Sequence, residues 1–208
     1  MDSCVAFASV RALGQFFARK AGDTTEYYPL FMYNLCRIHD GNLAIDAGSL
    51  PDEAVQILVQ IGMVPESVFP YPTSVQQQDS ATLANFYTDP PSDAILAQAH
   101  RLFHGYKSID STLELRQSLA AGIPVLISLD VYDSFMKVGS DGMVPIPSSS
   151  DQYLGGHEVL CVGYDDQQRY FIIQNSWGTT WGDQGFAYLP YDYVRLEGNV
   201  YQGFTVTP

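Results

Sequence analysis

Hydrophobic residues near the start of the chain recur at helical spacing. Phe7, Val10, Leu13 and Phe17 fall on one face of a helix drawn from about Cys4 to Lys20, with Asp2 or Ser3 as its candidate cap. Arg19 and Lys20 suit the negative end of that helix, and Gly22 can stop it. A second helix is predicted from Pro29 to Arg37, because proline is tolerated at a helix opening. A third starts at Ser49-Leu50-Pro51-Asp52, carries the stripe Ala54, Ile57, Leu58 and Ile61, and ends at Gly62. Phe69-Pro70-Tyr71-Pro72 then reads as an extended connection stiffened by proline.

The period changes in the second half. A short helix from about Ser111 to Ala121 ends at Gly122, and Pro124-Val125-Leu126-Ile127-Ser128-Leu129 reads as a buried strand. Glu158 to Tyr164 and Tyr170 to Gln174 are two strands joined as a hairpin across Asp165-Asp166-Gln167-Gln168, and Phe186 to Leu189 adds another. Gln76-Gln77-Gln78 and Ser148-Ser149-Ser150 are loops. The fold class expected is α+β: a helical part over residues 1–105 and a strand-rich part over 106–208. No polar, glycine-rich linker separates the two, so they are expected to form one compact domain.

Composition narrows the function classes. Of the 208 residues 46% are hydrophobic and only 16% charged, the reverse of a disordered chain. Ten basic against 23 acidic side chains give a net charge of −13, whose average field repels nucleic acid and anionic membranes. Neither is expected as a partner. No apolar run reaches the ~18 residues a membrane span requires, and no basic segment with a following hydrophobic stretch opens the chain. Localisation is left open, secretion included.

Three cysteines, Cys4, Cys36 and Cys161, are too few and too far apart for a disulfide framework or a zinc knuckle. Cys36 and Cys161 lie in apolar runs and read as buried, inert thiols. Cys4 sits instead in the first turn of a predicted helix, where the positive end of the dipole favours a thiolate. His157 follows Gly155-Gly156 and leads into Val159-Leu160-Cys161-Val162, at the mouth of a sheet. Asn175 ends the partner strand in Asn175-Ser176-Trp177-Gly178. In a hairpin the imidazole and the carboxamide can meet, the amide oxygen accepting a ring N–H and fixing the tautomer, with Trp177 as a shield from water. His39, His100 and His104 read as surface residues. The pair His100 and His104 has i, i+4 spacing on a possible helix but lacks a third ligand, so no metal and no cofactor are expected.

These residues resemble a family. Ser3-Cys4-Val5-Ala6-Phe7-Ala8 is similar to the nucleophile-bearing helix start of papain-like cysteine peptidases. Gly156-His157-Glu158-Val159-Leu160-Cys161-Val162-Gly163-Tyr164 resembles their histidine strand, and Asn175-Ser176-Trp177-Gly178 with Trp181-Gly182 their asparagine turn, in the same order. The resemblance implies a two-lobe fold, a helical lobe with a central helix and an antiparallel barrel-like lobe, with a polypeptide substrate extended in the cleft between them. It assigns Cys4 as nucleophile, His157 as acid and base, and Asn175 as its orienting partner. Gly48 and Ser49 would bond substrate backbone. Leu50 and Pro51 would line the pocket for the second residue before the cleaved bond, with Ser128, Gly155, Gly156 and Trp177 also facing substrate. A pro-segment or a protein inhibitor would be the natural macromolecular partner of such a cleft.

The chain also departs from the family's pattern. A Gln oxyanion donor ahead of the cysteine would fall upstream of Met1, and losing such a donor costs on the order of 10²–10³ in rate. Val5 stands where Trp is common, Asp2 where Gly is common, and Glu158 is unusual beside the histidine, where it either stabilises an imidazolium or points away. Cysteines near Asp2 and Gly48 are absent, as in the disulfide-poor bacterial branch. The alternatives are acyl transfer or removal of a protein modifier on the same scaffold, and a non-catalytic peptide-binding module.

Overall fold

The computed structural model describes residues 1–72, 80–195 and 200–208. They group into two units, Met1–Tyr106 together with Val206–Pro208, and Lys107–Thr205.

In the first unit the opening helix, α1, runs without a break through Cys4–Ala6, Phe7–Gly14 and Gln15–Lys20, its middle stretch wound as a π-helix. Val10, Leu13 and Phe17 are buried on the predicted stripe, and Phe7 packs its ring 5.1 Å from Tyr71. The expected side-chain cap is not made. Ser3 stands at the capping position with φ −100° and ψ 21°, outside the extended conformation a capping serine adopts. Its hydroxyl meets the Tyr71 hydroxyl at 2.9 Å instead.

Helix α2, Leu30–His39, begins just after Pro29 and continues past Arg37. Helix α3, Pro51–Gln60, has proline in its first turn, with Asp52 and Glu53 facing the positive end of the dipole. It closes on Gly62, whose φ of +104° lets its amide reach back to the Ile57 carbonyl at 3.0 Å. Met63 then bridges to His100, with backbone bonds of 2.7 and 3.1 Å. That bridge overturns the helical reading of His100 and His104. The backbone of His100 is committed to strand-like pairing, and the His104 amide bonds the Thr207 carbonyl at 2.8 Å. Helices α4, Ser80–Thr88, and α5, Asp93–Leu96, were not legible in the sequence. The loop expected at Gln76–Gln78 lies outside the described residues.

The second unit is built on an antiparallel sheet. Its strands are β1 (Gly105–Ile109), β2 (Val125–Tyr132), β3 (Tyr153–Asp165), β4 (Tyr170–Gln174), β5 (Phe186–Pro190) and β6 (Val200–Thr207), in the order β1-β6-β2-β3-β4-β5. Helix α6, Thr112–Ala120, is capped by Ser111, whose hydroxyl oxygen accepts the Glu114 amide at 3.2 Å. A short helix α7, Tyr191–Arg195, follows β5. Alternation along β2 sends Val125, Ile127, Leu129 and Val131 into one core with Val159, Cys161, Phe171, Ile173 and Leu189. Each such side chain contributes roughly 1.5–3 kcal/mol by leaving water. Strand β3 starts earlier than the predicted Glu158, because Gly155 and Gly156 are inside the ladder, paired with Val131 and Asp130. Glycine carries no strand propensity, so that stretch gave no signal. Among the described residues no helix is long and apolar enough to cross a membrane.

Candidate active site

Cys4 is the first residue of α1 and is half-buried. An amide in the first turn has no acceptor within its own helix, and the aligned peptide dipoles make that end electropositive. Cys36 and Cys161 are buried. Burial pushes the Cys36 thiol up to about 12, helped by Glu53 and Asp40, and raises the Cys161 thiol as well. Both stay protonated and inert at neutral pH.

Ahead of α3, the Gly48 carbonyl accepts the Arg37 guanidinium at 2.7 Å. The Ser49 hydroxyl oxygen is shielded from solvent, Leu50 is 59% exposed, and Pro51 opens the helix. Leu50 thus keeps a large apolar side chain accessible to solvent.

In the second unit His157 and Asn175 come together, the one from the middle of β3, the other one residue past β4. Nε2 of the imidazole lies 2.8 Å from Asn175 Oδ1. The same oxygen accepts the Ser176 backbone amide at 2.7 Å. An N–H can only donate, so the atom it meets is the amide oxygen, and Nε2 must then carry the imidazole proton. Nδ1 is left as the basic nitrogen. Burial lowers the His157 pKa below the ordinary histidine value, and the Asn175 bond partly offsets that.

Aromatic rings wall this pair. The Trp177 ring lies 4.8 Å from the imidazole at a 30° tilt, and Phe135 packs 6.4 Å from it. Phe135 also touches Trp177 and Trp181, whose indole N–H bonds the Phe135 carbonyl at 3.3 Å. Phe135 was missed in the sequence because no periodicity singles out the loop after β2. Gly155 has φ +140° and open space where a side chain would be, and Gly156 is exposed.

Glu158 points away from the imidazole. Strand alternation sends it to the other face of β3, where Ser128, its partner across the ladder, donates a 2.7 Å bond to Oε2. Oε1 is buried and has no partner among the described residues. Burial pushes the carboxyl up to about 8, a rise the Ser128 hydroxyl restrains. Ser128 is therefore engaged with Glu158.

For a metal, His39, Asp40 and Glu53 bring one ligand atom each within 4.8 Å of one another. The Arg37 guanidinium already holds Asp40 at 2.6 Å and supplies the positive charge there.

Comparison with known proteins follows the same residues. Residues 2–201 match the family described as papain family cysteine protease. An uncharacterized peptidase C1-like protein of Acanthamoeba polyphaga mimivirus is 28% identical over 95% of this chain and 64% of its own length. A cathepsin B-like protein, CP3, of Giardia intestinalis is 31% identical over 88% of this chain and 60% of its own length. This chain therefore spans somewhat under two thirds of those curated relatives. Among solved structures, xylellain, a cysteine protease from Xylella fastidiosa, superposes with a TM-score of 0.84 at 29% identity, covering 99% of this chain and 79% of its own. Digestive procathepsin L 3 of Tenebrio molitor shares the fold, with a TM-score of 0.70 at 23% identity over 100% of this chain and 64% of its own.

Proposed function

The chain belongs to the papain family of cysteine proteases, and from that membership we propose that it hydrolyses peptide bonds through an acyl-enzyme on Cys4. The observation that carries the reading is the His157–Asn175 bond, because the proton it fixes on Nε2 leaves Nδ1 to exchange a proton with a thiol. Cys4 sulfur, as thiolate, attacks the carbonyl carbon and forms the C–S bond. The oxyanion collapses, and the leaving amine takes the proton from His157. His157 then removes a proton from water, the hydroxide oxygen attacks the thioester, and the carboxylic acid leaves as the thiolate is restored. The Cys4 backbone amide serves as one oxyanion donor.

Exposed Leu50, with Pro51 beside it, suits an apolar wall for a substrate side chain, and Gly48 and Ser49 suit contacts with substrate backbone. Gly155 and Gly156 leave room for a chain to approach. Ser128 is the weaker assignment, since its hydroxyl is committed to Glu158. The substrate is a polypeptide in this reading, and a pro-segment is the fitting macromolecular partner, as in the procathepsin relative. The test is trapping by a peptidyl epoxide at neutral pH together with peptide hydrolysis. Both are expected of the native chain, and both should vanish in Cys4→Ala while the circular dichroism spectrum is kept. Hydrolysis that survives Cys4→Ala would refute the assignment.

A further inference from the structure

The three residues ahead of Cys4 are held by side chains from elsewhere in the first unit. Asp46 Oδ1 accepts the Asp2 backbone amide at 2.8 Å and the Tyr33 hydroxyl at 2.5 Å, and its Oδ2 lies 3.4 Å from the Met1 nitrogen. Tyr33 is a buried residue of α2. Its hydroxyl oxygen also receives the Ala47 amide at 3.3 Å, which anchors the loop carrying Asp46. One residue further on, the Ser3 and Tyr71 hydroxyls meet at 2.9 Å, so Ser3 is turned away from the helix end and caps nothing. No disulfide ties this segment down. Its course into α1 is fixed by polar bonds from one helix and two loops.

We propose that Asp46 is a positioning residue for the Cys4 reaction, holding the Asp2 backbone so that the chain enters α1 with the Cys4 amide and sulfur in one orientation. The proposal rests on the reading of Cys4 as nucleophile. A carboxylate that accepts two hydrogen bonds on one oxygen binds more firmly than a neutral group would. Burial works against its charge, yet the Tyr33 hydroxyl, the Asp2 amide and the Met1 nitrogen together outweigh that and keep the carboxyl below its ordinary range. Asp46 is therefore charged wherever the protein is at neutral pH. An oxyanion donor is effective only when it is aimed before the reaction begins, and a displacement of about 1 Å can cost 10²-fold. Removing the anchor leaves the Asp2 amide without that acceptor, while Ser3 stays held by its hydroxyl contact with Tyr71 and by its carbonyl, which accepts the Phe7 amide at 2.9 Å.

The experiment compares native protein with Asp46→Ala, Asp46→Asn and Tyr33→Phe. Turnover is expressed per Cys4 labelled by a peptidyl epoxide, so that misfolded molecules do not count. Asp46→Ala is expected to lower kcat per labelled site by roughly 10- to 100-fold with KM within about twofold. Asp46→Asn keeps an acceptor oxygen in the same place and should recover most of that loss. Tyr33→Phe, which leaves Asp46 its bond to Asp2, should fall between them. A merely structural role would reduce the labelled fraction and the melting temperature while kcat per labelled site stayed within twofold of native. That result overturns the proposal. If Asp46→Ala does not fold, a kcat per labelled site within twofold of native in Tyr33→Phe overturns it equally. Native protein that neither hydrolyses peptide nor takes the label would sink the reading of Cys4 itself, which is a different outcome.

Discussion

Glu158 follows the candidate base in the chain, yet strand alternation turns it to the opposite face, where Ser128 is the one partner of its carboxyl among the described residues. A carboxyl group there keeps its proton, since burial raises its pKa from 4.5 to about 8. The unfolded chain, in contrast, ionises near the ordinary glutamate value. Between those two values the folded protein binds more protons at this site than the unfolded chain does, so stability is full at acidic pH and declines as pH rises through the window, levelling above about 8. Each pH unit crossed is worth on the order of 1.4 kcal/mol. Glu158→Gln keeps the shape and removes the titration. Its urea-unfolding free energy relative to native should be nearly constant below pH 4.5 and grow more favourable from pH 5 to pH 8. A difference that does not vary with pH would show that the carboxyl titrates normally. The sequence flagged Glu158 as unusual but could not aim it, because its partner is set by the register of β2 on β3. Asp46 gave no signal at all, since its bonds join residues far apart in the chain. The contact between His157 and Asn175 and the place of Cys4 at a helix start were legible because each residue lies in a local motif.

The elements were legible in proportion to their periodicity. The helix from Cys4 to Lys20 and the hairpin of β3 and β4 have stripes or alternations long enough to read, whereas β1, β6 and the short helices α4 and α5 do not. Gly62 illustrates what glycine signals can fix. It was read as a helix stop, and its φ of +104° fits that role. The structure adds a second constraint, since a side-chain carbon at this position would lie 2.3 Å from the His100 carbonyl oxygen, which is backbone and cannot swing aside. Gly62→Ala should therefore both strain the end of α3 and push apart the bridge between Met63 and His100. The expected loss is about 2 kcal/mol or more, from the disfavoured conformation together with the clash. Chemical denaturation reads it directly. As a control, Gly122→Ala at φ +72° has open space around it and should cost only the conformational part. Equal losses in the two variants would mean that the contact with His100 has no energetic weight.

Charge is a property of the molecule as a whole, and here it is −13, from 23 acidic and ten basic side chains. Solubility explains such an excess well enough. A field of one sign nonetheless acts on any charged peptide that approaches, over about 30 Å in 10 mM salt but only about 8 Å at physiological ionic strength. If this chain cleaves polypeptides, then peptides flanked by lysine or arginine should be drawn in and those flanked by glutamate held off. The effect belongs to encounter, so it should appear in kcat/KM and leave kcat unchanged. Between low and physiological salt, kcat/KM for a cationic peptide is expected to fall by roughly tenfold. The same change of salt should raise the value for an anionic peptide and leave a neutral one nearly unaltered. Three peptides with a common core and different flanks, each assayed across a salt series, separate the cases. Parallel salt responses for all three would mean that the acidic groups act on solubility alone and that selection among peptides is made entirely by contacts at the site.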